Sequence, residues 1–217
     1  MSELRVIPLV CPDCGRQLMG LRYDKIFMCM ACRQGLSPEK AGDWVRHPLS
    51  FAKPDSAPNA SLIYLPFWQI KIETHAMPVN RQQEAAIRRL DTLKSVWVQA
   101  FTLIRPSYFG DIGMFYTERD EQPEQMTVFP SGFYVAGCTR TLEDAIKYTK
   151  LFVTLILDKK ADVTGMDIEV WTRDAILWAI PFADYGDKIM DLVTRTELPA
   201  FAVDDLEDIR RINRKPQ

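Results

Sequence analysis

The sequence predicts an α+β protein: a small N-terminal module gathered around four cysteines, joined to a mixed, mostly antiparallel β domain with inserted helices. Three observations carry this. Two C-x-x-C pairs lie close together near the N-terminus. From residue 61 onward, apolar runs that alternate with period two are interrupted by segments of helical period. The connections between the last of these runs are too short for parallel crossovers. With 217 residues, 47% hydrophobic and 26% charged, the chain can bury roughly 70% of the surface it exposes when unfolded. The expected organisation is a module over residues 1–36, a strap over 37–60 and a main domain over 61–217.

The module opens on Cys11-Pro12-Asp13-Cys14-Gly15 and closes on Cys29-Met30-Ala31-Cys32, a C-x2-C-x14-C-x2-C pattern. Two residues between thiolates let a tight turn aim both sulfurs at one ion while backbone amides point at the sulfurs. Two such turns complete a tetrahedron and leave no position for water or substrate, so the metal is expected to hold the fold rather than do chemistry. Residues 17–23 and 25–27 read as short strands around a turn at Asp24-Lys25. Neither pair sits between a strand and a helix, which argues against a thioredoxin-like redox pair.

With its C-P-x-C-G opening, this region resembles a rubredoxin-like zinc ribbon, similar to those found in transcription, translation and many uncharacterised bacterial proteins. The resemblance implies one structural Zn2+ on Cys11, Cys14, Cys29 and Cys32. The second turn departs from it: Arg33 follows Cys32 where ribbons commonly carry Gly, and the next glycine is Gly35. Rubredoxin-like iron is the rival metal. Ligand type, and a spacing short for rubredoxin, favour zinc.

Charge bears on partners. Lys and Arg number 27 against 29 Asp and Glu, for a formal charge of -2, without the strong positive balance of a protein that grips phosphates. The ribbon is itself near neutral once thiolates and metal are counted. Nucleic acid therefore stands as the second expectation for a partner, and another protein as the first. No apolar run approaches the roughly 18 residues of a membrane span, and residues 1–5 lack an export signal, so a cytoplasmic location is expected.

Residues 37–59 concentrate proline at positions 38, 48, 54 and 58, a linker composition. Trp44, Val45, Leu49 and Phe51 suggest that this strap packs across the main domain. Residues 61–73 read as a half-buried strand with Phe67, Gln69, Lys71 and Glu73 opposed to Trp68, Ile70 and Ile72, and Pro66 places it at an edge or bulge. Residues 82–93 read as a helix, 95–103 as a strand, 107–116 as a short helix and 125–137 as extended. Thr141, with Asp144 three residues on, caps a buried helix running to about residue 157. Residues 167–173, 175–183 and 188–194 read as an antiparallel meander with turns at Arg173-Asp174 and near Tyr185-Gly186. Residues 203–213 read as a solvated charged helix whose acid-first, base-last order suits the helix dipole.

Motifs for nucleotide, haem, calcium and zinc-protease chemistry are absent from the sequence. His47 and His75 are the candidates for a general base, and each reads as a surface or hydrogen-bonded residue. Cys138, ahead of a helix N-terminus and near Arg140, is the best nucleophile candidate, though no base is identifiable beside it. Asp158, Asp162, Asp167 and Glu169 read as solvated acids rather than a cation site. Leu65-Pro66-Phe67-Trp68 after an N-terminal ribbon looks like an arrangement in uncharacterised bacterial ribbon proteins and carries no function with it. Phe67, Trp68, Trp97 and Trp178 are nominated as an aromatic rim that meets a partner. The expectation is a non-catalytic adaptor that binds protein through the ribbon or this rim. A nucleic-acid binder comes second, and an enzyme with a scattered site including Cys138 third.

Overall fold

The computed structural model describes residues 8–39, 42–55, 60–90, 92–104, 110–127 and 133–213. Those residues form an α+β protein on one mixed sheet of order β1-β2-β3-β6-β4-β5, with β7 and β8 added beside β6. The strands are β1 (Phe27–Cys29), β2 (Gln34–Pro38), β3 (Trp44–Phe51), β4 (Ser61–Met77), β5 (Ser95–Gln99), β6 (Asp167–Asp184), β7 (Lys188–Asp191) and β8 (Glu197–Pro199). The helices are α1 (Arg81–Leu90), α2 (Gly113–Arg119), α3 (Leu142–Asp158) and α4 (Leu206–Asn213). All pairings between these strands are antiparallel except β3 with β6, which run parallel at Leu49↔Leu177 to Phe51↔Ala179.

Sequence and structure agree on α3. Thr141 Oγ1 accepts from the Asp144 amide (3.1 Å), and the Asp144 carboxylate accepts from the Thr141 amide (3.3 Å), so the cap is reciprocal. Its buried stripe of Ala145, Phe152, Val153, Ile156 and Leu157 packs with α1 against one face of the sheet. Ile112 and Tyr116 of the α2 region and Leu206 and Ile209 of α4 cover the other.

Helices on both faces change what β4 buries. It reads as half-buried in the sequence, yet residues 63–70 are buried without a break, and alternation with solvent begins only at Lys71. Trp68 and Ile70 join the cluster under α3, while Ile63, Leu65 and Phe67 join the cluster under α2 and α4. The aromatic rim is overturned for the same reason. Phe67, Trp68, Trp97 and Trp178 are at most 8% exposed and are core residues. Phe67 packs on Phe101, Tyr116 and Phe182, Trp97 on Trp178 and Tyr116, and Trp178 Nε1 donates to Gln69 Oε1 at 2.9 Å.

Three other expectations are corrected. The turn at Arg173-Asp174 is a β-bulge inside one long strand: Ile70 pairs with Ala175 and Ile72 with Thr172, so two residues of β6 oppose Lys71. Pro66 lies in an inner strand rather than at an edge. The Ala100 amide donates to its carbonyl at 2.9 Å, and the Ala100 carbonyl, which a residue with an N–H would engage there, takes the amides of Thr139 and Arg140 instead. The terminal helix α4 is solvated on one side only. Arg210 forms a two-pronged pair with Asp184 (Nη2–Oδ1 2.6 Å, Nε–Oδ2 2.7 Å), with both side chains nearly buried.

The proline-rich strap becomes β3, which pairs with β2 on one side and β6 on the other, making ribbon and main sheet continuous. Residues 1–7, 56–59, 107–109 and 128–132, on which parts of the expected module, strap, short helix and extended segment fall, lie outside the described residues. No described helix is long and apolar enough to cross a membrane.

Candidate metal centre

The first cysteine pair sits on a hairpin tied by Cys11 N to Arg16 O and Leu18 N to Leu9 O, both 2.8 Å. Its turn ends with Gly15 at φ +72°. The second pair lies at the β1–β2 connection, where Cys29 pairs with Gln34. Arg33 there adopts φ +56°, the left-handed conformation a glycine would take at less cost. The departure noted in the sequence is therefore a non-glycine residue held in strained backbone at the second cysteine turn.

These two turns bring the sulfurs of Cys11, Cys14, Cys29 and Cys32 within 4.8 Å of one another. Cys11 and Cys32 are 3.8 Å apart, and Cys14 and Cys29 3.6 Å. A tetrahedron with metal–sulfur bonds of ~2.3 Å has edges of ~3.8 Å, so the quartet already has the dimensions of a four-thiolate sphere. Among the described residues the four cysteines can hold a metal ion, and no other His, Cys, Asp and Glu grouping does so.

The electrostatics fit the same reading. Burial raises the Cys11 thiol, but the amides of Cys14 and Asp13 and its thiol neighbours bring it down to about 7. Burial pushes Cys29 up, opposed by the Cys32 amide, and hydrogen bonding to Cys14 pushes Cys32 up. Four sulfurs this close repel as thiolates, and a bound cation removes that repulsion.

The site is braced from β3. Asp13, between the first two cysteines, accepts from Arg46 Nη2 at 2.6 Å and Nε at 3.1 Å, and from Gln34. The Arg46 guanidinium, helped by Gln34, holds the Asp13 carboxyl down at about 2. Phe27 meets Trp44 edge-on at 6.4 Å, and Ile26 is shared with the main core.

Residue 24 marks the seam with the main domain. The amides of Lys25 and Ile26 donate to Cys138 O, and the Cys138 amide returns to Ile26 O. The Asp24 carboxylate lies against Gly137, where an added Cβ would come within 2.2 Å of its oxygen. Burial pushes Asp24 up to about 6; Leu21 N opposes this and the charge of Asp205 adds to it.

The remaining candidates fall elsewhere. Cys138 is fully buried in the seam, and burial and the Asp24 charge push its thiol up, the reverse of an activated nucleophile. His47 shares a 3.0 Å hydrogen bond with Ser37 and packs edge-on against Trp68, and burial lowers its pKa. His75 is exposed on β4 opposite Glu169. Asp158, Asp167 and Glu169 are exposed, and Asp162 caps the Thr164 amide at 2.9 Å. The bracing pair Asp13–Arg46 had no sequence signal beyond an acid inside the knuckle. No family model matches the chain, and neither the curated proteins nor the solved structures compared with it give a match.

Proposed function

We propose that this chain is a non-catalytic adaptor in which one structural Zn2+, held by Cys11, Cys14, Cys29 and Cys32, locks a rubredoxin-like ribbon onto the sheet as a surface for a protein partner. The observation that carries the reading is the closed quartet of sulfurs at tetrahedral spacing, a ligand set that suits zinc and leaves no open position for a reaction. With Phe67, Trp68, Trp97 and Trp178 in the core, the partner surface falls to the ribbon, whose Leu9, Val10 and Met19 are each 36–40% exposed. The cation beside the first cysteine pair, Arg46 on β3, is engaged by Asp13, which also supports a protein over a nucleic acid.

The test is elemental analysis of the purified chain, followed by affinity purification with nuclease treatment from its native cell. One zinc per chain, with a specific association that survives nuclease and is lost in a zinc-loaded Val10→Glu variant, is the expected result. An association that nuclease abolishes favours nucleic acid, and iron in place of zinc removes the structural-zinc reading.

A further inference from the structure

Where the ribbon meets the first turns of α3, a cavity of about 510 Å3 opens, lined by Lys25, Thr102, Thr139, Arg140, Lys147 and Tyr148 among others. That volume falls in the range of small-molecule sites, ~300–1,000 Å3. The lining brings together three cations from the ribbon seam, the segment before α3 and α3 itself, against the single carboxylate of Asp144.

Arg140 is the fixed element. Its Nη1 donates to Asp111 Oδ2 and to Gln99 O, both at 2.7 Å, and its guanidinium carbon lies 4.5 Å from the centroid of the Tyr148 ring. Asp111 is itself fixed by the amides of Gln99 (3.1 Å) and Gly113 (2.9 Å), and it is not part of the cavity wall. These contacts immobilise the guanidinium through one nitrogen and one face. Nε and Nη2 have no acceptor among the described residues. A planar guanidinium presenting that pair of N–H groups matches two oxygens of a phosphate or carboxylate, and its immobilisation removes the ordering cost of binding.

Two ammonium groups stand near it. Lys25 Nζ is 2.9 Å and Lys147 Nζ 3.8 Å from the Asp144 carboxylate, and Lys147 also meets the exposed Glu143 at 3.1 Å. The N-terminus of α3 adds little, because Thr141 and Asp144 already cap it.

We propose that this cavity binds the phosphate group of a small molecule, with Arg140 as two-pronged anchor through Nε and Nη2 and with Lys25 and Lys147 as flanking charges. The site does not depend on the adaptor reading. Because Lys25 belongs to the ribbon, an occupied cavity ties ribbon and α3 together.

Titration calorimetry of the full zinc-loaded chain tests this, with inorganic phosphate and phenyl phosphate as probes at constant ionic strength. Saturable one-to-one binding is expected. Arg140→Lys, which keeps a cation for Asp111 but loses the fork, weakens it roughly tenfold. Lys147→Ala and Lys25→Ala, both at exposed positions, weaken it roughly threefold each. Arg211→Ala, on the outer side of α4, leaves it unchanged. Tighter binding of phenyl phosphate assigns the cavity to a phosphorylated small molecule, whereas equal affinity assigns it to the free anion, and both support a phosphate site. No saturable binding of either probe overturns the proposal, as does an affinity that Lys25→Ala and Lys147→Ala leave intact. A loss in Arg211→Ala as large as in the cavity variants reveals diffuse charge and overturns it too.

Discussion

The ribbon and the sheet domain hold themselves together by different means. The ribbon's own core is Cys11, Leu18, Phe27, Cys29 and Leu36, and two of those five belong to the cysteine quartet that can hold a metal ion. Among the described residues the sheet domain has two apolar clusters, one on each face, with long strands and four helices to build them. So small a core cannot offset the entropy of ordering its chain, so the ribbon needs a cross-link, and the proposed metal would supply one. The seam joins the two regimes through strand pairing and one half-buried carboxylate, Asp24.

Removing the metal breaks the comparison most strongly. Chelation, or Cys29→Ser, withdraws apparent binding energy of ~10 kcal/mol from the ribbon. Limited proteolysis should cut residues 8–36 rapidly while the sheet domain stays protected. A ribbon that remains protected contradicts the metal's role as its main cross-link.

A core truncation should produce the opposite pattern. Phe67→Ala empties a fully buried site among Phe101, Tyr116 and Phe182 and should cost the sheet domain about 3–5 kcal/mol in denaturant unfolding, with bound metal retained below the transition. Metal release well below that transition would show that the two regions are not separable.

Asp24 sharpens the comparison at the seam. Its carboxyl is raised from 3.8 to about 6 by burial, so the unfolded chain releases this proton before the folded one does. Its contribution to stability therefore falls as pH rises from about 4 to about 6, and the loss persists above that window. Asp24→Asn can still accept from the Leu21 amide. It should stabilise the protein by about 2 kcal/mol at pH 7.5 and by much less at pH 4.5 in thermal melts. An equal gain at both pH values would place the effect outside this ionisation.

The smallest effect is expected at the second cysteine turn. Arg33→Gly relieves the left-handed backbone at φ +56°, offset by the greater freedom of glycine in the unfolded chain, for a net gain of up to about 1 kcal/mol. Slower release of metal to a competing chelator, with unchanged unfolding of the sheet domain, is the readout.

Features written locally were legible in the sequence. The quartet of sulfurs follows from two short turns, the capping of α3 from Thr141 and Asp144, and the strain at Arg33 from the missing glycine. Features that depend on distant segments were not. Arg173-Asp174 has the composition of a turn, yet β4 on one side carries the strand through it as a bulge. The proline-rich strap has the composition of a linker, yet β2 and β6 leave open edges between which only a strand fits.

The aromatic quartet shows why. Order along the chain pointed to an α+β protein with four cysteines gathered to hold one metal ion, since ligand spacing and caps act over a few residues. Packing alone decided that Phe67, Trp68, Trp97 and Trp178 are core. Alternation along a strand tells which side chains share a face, but whether that face meets water depends on helices brought from far along the chain to cover both sides of the sheet.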